Sequence, residues 1–170
     1  EEQAREAQIE VALEKVRSRT IGMQKSGELG EVVERLFLEF NCLKIETLVT
    51  DIIIFNDDES SANMWVSGSD GTEGPYLTQA KDHSHQMGTL EAWRNGDPLR
   101  VTELKGEIFK SFFEIGFNES AGLKTISNET KEFVYALGKV FHTEAFTKHG
   151  CIRIASKEKQ TEENIQILQR

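Results

Sequence analysis

The hydrophobic positions of the first 25 residues form a narrow stripe. Its members are spaced by four, three and seven residues, as in a heptad repeat: Ile9, Leu13, Val16 and Met23. Such a stripe predicts a helix over residues 3–23 that packs against one partner helix, with an ordinary surface helix as the alternative. We expect two chains to meet along this stripe as a parallel coiled coil, which Ile165 and Leu168 continue near the C terminus.

A second helix and a strand pair follow. Ser26 suits the N-cap of a helix whose wide apolar face must enter a core. Its apolar positions are Leu29, Val32, Val33, Leu36, Phe37 and Phe40. Residues 45–55 are rich in β-branched side chains and apolar on both faces, which predicts a central strand. Beyond a polar turn, residues 62–67 return as the second strand of a hairpin.

The middle of the chain has a weaker pattern. Residues 68–88 are polar and rich in glycine, which predicts a long loop of the kind that covers a binding site. We expect Thr89 to cap a short helix over residues 90–95, and residues 99–104 to form a strand. Residues 107–117 are dense in phenylalanine and must pack over one face of the sheet.

The C-terminal part predicts a helix from Ser127 or Asn128 to Gly138, followed by a hairpin of residues 140–147 and 151–155. Thr161 caps a last helix. The predicted fold class is therefore α+β, an α/β sandwich with a central antiparallel sheet and helices on both faces.

Three parts are expected along the chain. They are an N-terminal linker or dimerisation helix (residues 1–25), one globular domain (26–160) and the start of a C-terminal helix (161–170). Because both ends fall within predicted amphipathic helices, we expect the chain to be one module of a longer protein.

Composition narrows the function classes. The 170 residues carry a formal net charge of −9 at pH 7. The Lys and Arg residues form no cluster, which argues against a nucleic-acid or membrane partner. The longest apolar run, residues 48–55, is far too short to span a bilayer. Cys42 and Cys151 lie in apolar settings that suit buried, reduced thiols of a cytoplasmic domain.

Both ends of the chain resemble the GAF and PAS group of bacterial sensor domains. In that group an Ala-Leu-Glu-x-Val-Arg-x-Arg-x-x-x-Met string precedes a Ser-x-Glu-Leu helix start. The string here is Ala12, Leu13, Glu14, Val16, Arg17, Arg19 and Met23, followed by Ser26, Glu28 and Leu29. The segments VFHTEAFTKHGCIRIAS and TEENIQILQR resemble the closing hairpin and the C-terminal helix of GAF-like domains that precede histidine kinase catalytic regions.

This resemblance implies a GAF/PAS-like fold with long N- and C-terminal signalling helices. It also implies a non-catalytic sensory domain of a two-component, histidine kinase-type protein, which binds a small molecule or relays signals through dimeric helices. The implied partners are a second copy, a small-molecule ligand and adjacent modules of the same chain. Neither the residue set of cyclic-nucleotide-binding GAF domains nor a chromophore-attachment cysteine is recognisable, so the cofactor stays unknown.

Asp51 interrupts an otherwise apolar strand. An unpaired buried charge costs several kcal/mol, so this carboxylate must face solvent, pair with a basic side chain such as Arg153, or anchor a ligand. The full candidate ligand-binding set is Asp51, Trp65, Tyr76, His85, Trp93, Phe112, Phe113 and His142. An enclosed space beside Trp65 and residues 107–117 would support sensing, whereas a solid core would support a ligand-free structural spacer.

His83 and His85 would point to the same side of an extended segment, where Asp82 or His142 could complete a metal site. Histidines in a polar loop are more often solvated, so we expect no metal. Ser84 lacks the surroundings of a nucleophile elbow. We therefore expect a domain that is not an enzyme, with a metal-dependent small-molecule enzyme as the weaker alternative.

Overall fold

An antiparallel sheet is the central layer of the structure, a computed structural model that describes residues 2–23, 25–119 and 127–170. The six strands in these ranges are β1 (Val49–Phe55), β2 (Ser61–Gly68), β3 (Gly71–Gln79), β4 (Leu99–Lys105), β5 (Lys139–Phe146) and β6 (Gly150–Ser156). Their order across the sheet is β3-β2-β1-β6-β5-β4, and every neighbouring pair is antiparallel. The predicted α+β class is confirmed at this level.

Helices cover both faces of the sheet. In the described ranges they are α1 (Glu2–Ile21), α2 (Leu29–Cys42), α3 (Ser84–Asn95), α4 (Gly106–Glu119), α5 (Asn128–Leu137) and α6 (Glu162–Gln169). None of these helices is long and apolar enough to cross a membrane. Side chains alternate along a strand, so Ile52 and Asp51 of β1 point to opposite faces. We call the face of Ile52 the terminal-helix face and the face of Asp51 the α3–α4 face.

The terminal-helix face holds the larger apolar core. It joins α1, α2 and α6 to the sheet through Ile9, Ala12, Val32, Val33, Leu36, Phe40, Ile52, Trp65, Ala145, Ile154, Ile167 and Leu168. The wide apolar face of α2 therefore enters a core as its pattern predicted. The first and last helices of the chain lie in this same layer, so they share one packing environment.

Two smaller apolar clusters lie on the α3–α4 face. Phe109 of α4 packs on Leu104 and Val140, while Ile53, Met64 and Cys151 form a second cluster towards β3. The phenylalanine-rich segment is a helix over this face, as expected. Between the two clusters the sheet carries charged side chains instead of apolar ones.

Helix ends follow the predicted local chemistry at several points. The Oγ atoms of Ser127 and Thr161 accept hydrogen bonds from the backbone N–H groups of Thr130 and Asn164, as N-cap residues do. Gly138, in the left-handed region, ends α5. Ser26 is an exception, because α2 begins at Leu29 after a short 3₁₀ turn.

The prediction of a long loop over residues 68–88 was wrong. Residues 71–79 of this segment form β3, and α3 begins at Ser84, five residues before the predicted cap Thr89. β3 lies at an edge of the sheet and exposes most of its side chains, so it needs no apolar alternation. The buried-thiol prediction was wrong for Cys42, which is exposed, and right for Cys151.

Candidate functional site

A row of alternating charges crosses four strands on the α3–α4 face. Asp51 of β1 lies opposite Arg153 of β6, Arg153 lies opposite Glu144 of β5, and Glu144 lies opposite Arg100 of β4. Directly opposed residues of antiparallel strands share a face, so the register alone brings these side chains together. We call them the charge row.

Short contacts connect the charge row from end to end. Arg153 Nε lies 2.6 Å and Arg153 Nη2 lies 2.5 Å from Asp51 Oδ2. Arg153 Nη1 lies 3.7 Å from Glu144 Oε1, and Arg100 Nη1 lies 2.7 Å from Glu144 Oε2. Two carboxylates and two guanidinium groups balance in charge, which is the condition under which buried ions are tolerated.

The charge row is removed from solvent apart from its last member. Asp51, Glu144 and Arg153 are buried, whereas the Arg100 side chain keeps 21 % of its exposed area. Burial raises the pKa of Asp51 above its usual value, and the Arg153 guanidinium opposes this rise. Burial alone would lower the pKa of Arg153, but the carboxylates of Asp51 and Glu144 raise it. Arg153 therefore stays a fixed cation inside the protein.

Helix α3 lies over the charge row and adds polar groups to it. Thr89 Oγ1 donates to Glu144 Oε1 at 2.8 Å and lies 3.2 Å from Arg100 Nη1. Gly88 faces the same guanidinium, because a Cβ at this position would lie 2.6 Å from Arg100 Nη2. The absence of a side chain on Gly88 thus lets Arg100 reach Glu144 beneath the helix.

Two buried imidazoles form the second part of the site. Arg100 Nη1 lies 3.3 Å from His85 Nδ1, and His85 Nε2 lies 2.8 Å from His142 Nδ1. Arginine can only donate, so His85 accepts at Nδ1 and carries its proton on Nε2, which donates to His142. Burial and the charges of Arg153 and Arg100 lower the pKa of His85 to about 2. Burial lowers the pKa of His142 as well, so both rings are neutral at pH 7.

Phe112 of α4 covers the imidazoles. Its ring centroid lies 5.2 Å from that of His85 and 5.4 Å from that of His142, in edge-to-face arrangements. The guanidinium carbon of Arg153 lies 5.9 Å from the same ring, within reach of a cation–π contact. Phe112 therefore fills the space directly over the two imidazoles.

Little open volume remains on the α3–α4 face beside the charge row. A cavity of about 30 Å³ is lined by Met64, Gln86, Thr89 and Arg153, among others. This is room for roughly one or two water molecules. Gln86 Oε1 is buried without a hydrogen-bond partner, which suits such a water.

The predicted ligand-binding residues fall into separate groups. Asp51, His85, Phe112 and His142 meet at the site, and Phe113 packs on Phe112 with 5.3 Å between ring centroids. The other three lie elsewhere: Trp65 on the terminal-helix face, Tyr76 on β3 with its hydroxyl bonded to Glu73, and Trp93 stacked on Phe55. The sheet thus separates Trp65 from the helix of residues 107–117.

Sequence reasoning missed Glu144, Arg100 and Thr89 of this site. It offered Arg153 as a partner of Asp51, and the 2.6 Å hydrogen bond between them confirms this pairing. A signal for Glu144 was available, because it is a charged residue between the uncharged Thr143 and Ala145 in β5, just as Asp51 lies between Thr50 and Ile52 in β1. Nothing in the local sequence indicates that β4 would bring Arg100 to the same row.

His83 and His85, which were considered as possible metal ligands, do not point to a common centre. His83 is the N-cap of α3 and His85 lies in its first turn, so the two are not in an extended segment. His83 Nδ1 accepts from the backbone N–H of His85, and His83 Nε2 lies 2.9 Å from Ser111 Oγ. In the part of the chain that the structure describes, no three His, Cys, Asp or Glu side chains are placed to hold a metal.

The stripe predicted as a dimer interface packs within its own chain. Ile9, Ile165 and Leu168 are buried, and Leu13, Val16 and Met23 pack at the border of the same core. Periodicity therefore identified the contact face of α1. The large apolar side chains that α1 leaves exposed are Val11 and Ile21.

Comparison with known proteins adds no relative. No protein-family model, no curated protein and no solved structure matches this chain. Functional inference therefore rests on the residues, the fold and the site described above.

Proposed function

We propose that this chain is a non-catalytic, signal-transmitting domain of the GAF type within a larger bacterial protein of the histidine kinase kind. The resemblance of its two ends to such domains supports the proposal. The antiparallel sheet with helices on both faces is compatible with it. In this role the domain lies in the cytoplasm, and its partners are a second copy and the neighbouring modules of its own chain.

The observation that carries the proposal is the contact between the first and last helices. Arg5 Nε of α1 lies 3.0 Å from Glu163 Oε1 of α6. Arg170, directly after α6, contacts Glu6 at 2.8 Å and also Glu10. Both ends of the domain thus lie side by side on one face of the sheet. A shift of one terminal helix therefore changes how the other one packs.

The sheet connects this helix layer to the charge row. The strands β1, β5 and β6 carry Asp51, Glu144 and Arg153 towards α3 and α4. The residues next to them in sequence, among them Ile52, Thr143 and Ile154, point to the terminal-helix face. If the charge-row residues move, the strands that carry them move too. The terminal helices pack against the other face of these strands.

This relay is testable with a thiol that the protein already exposes. Cys42 at the end of α2 is exposed and Cys151 is buried, so a polarity-sensitive maleimide dye labels the helix layer selectively. Gly88→Ala requires the Arg100 guanidinium to move, since the new Cβ would lie 2.6 Å from Nη2. We expect the emission maximum of the dye to shift, although Gly88 and Cys42 lie on opposite sides of the sheet.

The matched control for Gly88→Ala is Glu91→Gln, an exposed position on the same helix, which should leave the emission unchanged. The ring ¹⁵N signals of His85 report independently whether Arg100 has moved. A shifted His85 signal with an unchanged Cys42 emission would show that the two faces are not coupled and would contradict the proposed relay.

We further propose that two copies associate through the terminal helices. Because Ile9 is already buried, the contact uses the exposed side of α1, where Val11 retains 56 % of its area. Sedimentation should give a dimer mass for the wild type and a monomer mass for Val11→Glu. Val11→Thr keeps a similar shape and should remain largely dimeric. A monomer at all concentrations of the wild type would remove this part of the proposal.

A ligand-free structural spacer is the second candidate function. The observation in its favour is the small cavity of about 30 Å³ beside Arg153, far below the several hundred Å³ of ordinary ligand pockets. As a spacer, the domain would pass movement between neighbouring modules without binding anything itself. Binding of a small molecule elsewhere in the fold would favour the sensory domain over the ligand-free spacer.

A further inference from the structure

A second concavity lies at the end of the sheet where β1 begins and β2 ends. It is bordered by α2, the β2–β3 turn and α5, and its volume is about 380 Å³. Pockets for small organic molecules have volumes of roughly 300–1,000 Å³. We call it the α5 groove. It is formed in part by Leu48, Val66, Asp70, Glu73, Val134 and Leu137.

Helix α5 is packed unusually loosely over this groove. Its ten residues have a pronounced apolar side, yet none of them is buried. Val134 and Leu137 are partly covered, and Phe133 keeps 50 % of its area exposed. An amphipathic helix normally buries its apolar side, so α5 retains apolar area that a molecule in the groove would cover.

Two polar contacts hold the rim of the groove in place. Thr130 Oγ1, in the first turn of α5, donates to Asp70 Oδ2 at 2.6 Å. The Tyr76 hydroxyl donates to Glu73 Oε2. The rim carboxylates are therefore fixed in position, while the apolar interior between them stays open.

The charge of the rim indicates the class of ligand. Among the described residues that line the groove, the ionisable side chains are Asp70 and Glu73, and none is Lys, Arg or His. The Phe133 ring already meets a cation, since Lys157 Nζ lies 5.7 Å from its centroid. Carboxylates and an aromatic face both attract cations. An anion would meet repulsion from both carboxylates.

We propose that the α5 groove binds a small organic cation with an apolar body, such as an arylalkyl ammonium ion. The ammonium group lies between Asp70 and Glu73, and the apolar body covers Val66, Val134 and Leu137. This proposal concerns binding alone, so it holds or fails independently of the signal relay proposed above.

The test titrates the ¹⁵N-labelled chain with 2-phenylethylamine and, separately, with 2-phenylethanol and 3-phenylpropionate, which keep the aromatic body but change the charge. We expect saturable shifts at Leu48, Val66 and Val134 with the amine. The alcohol should bind more weakly and the carboxylate should produce no such shifts. Glu73→Gln should weaken amine binding about two- to fivefold, the range for a partly exposed ion pair.

Two variants complete the design. Glu91→Gln removes the same charge from an exposed position on α3 and should leave the amine affinity unchanged. Val134→Trp fills the groove and should abolish binding while the thermal unfolding curve shows a folded protein. The proposal is overturned if Val134→Trp binds the amine as the wild type does, if the carboxylate binds as well as the amine, or if the amine causes no saturable shifts at the groove.

Discussion

Replacing Arg153 by methionine is expected to lower the free energy of unfolding by about 3–5 kcal/mol, the range for removing one partner from a buried ion pair. The guanidinium lies between Asp51, at 2.5 Å, and Glu144, at 3.7 Å. Without it, the Asp51 carboxylate stays in the protein interior with no counter-ion. Urea denaturation followed by circular dichroism at pH 7 measures the loss.

Two companion variants separate the buried charge from other effects of this substitution. Adding Asp51→Asn to Arg153→Met removes the uncompensated carboxylate and should recover about 1–2 kcal/mol. Arg94→Met deletes an exposed arginine whose Nε lies 3.7 Å from Glu59 Oε2, and should cost less than about 1 kcal/mol. An Arg153→Met protein as stable as the Arg94→Met protein would show that the charge row does not contribute as described.

The sequence predicted elements well wherever one whole face is buried. The helix around Val33 and the strand around Ile53 have unambiguous apolar patterns, and both are present, although they begin at Leu29 and Val49 rather than next to Ser26 and at residue 45. β3 was not predicted because it is an edge strand, and its side chains show no alternation of apolar and polar residues. The first turn of α3 was missed because it is polar and begins with a histidine cap, His83, rather than with Thr89.

The site could be predicted only in part, for a reason of geometry. Asp51 in an apolar strand requires a partner, so one ion pair follows from local physics. The position of Glu144 beside Arg153 depends on the register between β5 and β6, and that of Arg100 on the pairing of β4 with β5. Registers between strands distant in sequence are set by the packed core, which no local pattern specifies.

Periodicity also leaves the identity of a partner open. The stripe around Ile9 correctly identified the side of α1 that makes contact. A heptad pattern looks the same whether the facing helix belongs to a second chain or to the same one. In the structure Ile9 shares one core with residues of α2, α6 and the sheet, so the association of two copies proposed above would have to use another side of α1.

The stability of the protein is expected to fall steeply as the pH drops below about 6.5, the usual pKa of histidine in an unfolded chain. The pKa values of His85 and His142 are lowered in the folded state, because burial and the nearby Arg153 and Arg100 disfavour imidazolium ions. Below pH 6.5 the unfolded chain therefore binds more protons than the native one, so acid favours unfolding. Each imidazole should cost about 1.2 kcal/mol between pH 7 and 5.5, or about 2.5 kcal/mol together.

Asp51 acts in the opposite sense at lower pH. Folding raises the pKa of Asp51, so the native state binds this proton more readily than the unfolded chain does. The contribution of Asp51 to the free energy of unfolding therefore increases as the pH falls towards the usual pKa of aspartate. Urea denaturation midpoints between pH 7 and 5.5 measure the net change in the free energy of unfolding. His85→Gln should remove about 1.2 kcal/mol of the loss, whereas His149→Gln, at an exposed position in the β5–β6 turn, should retain it. A wild-type stability that is constant over this range would mean that the paired imidazoles are not held neutral beneath Phe112, and the site would have to open in acid without unfolding.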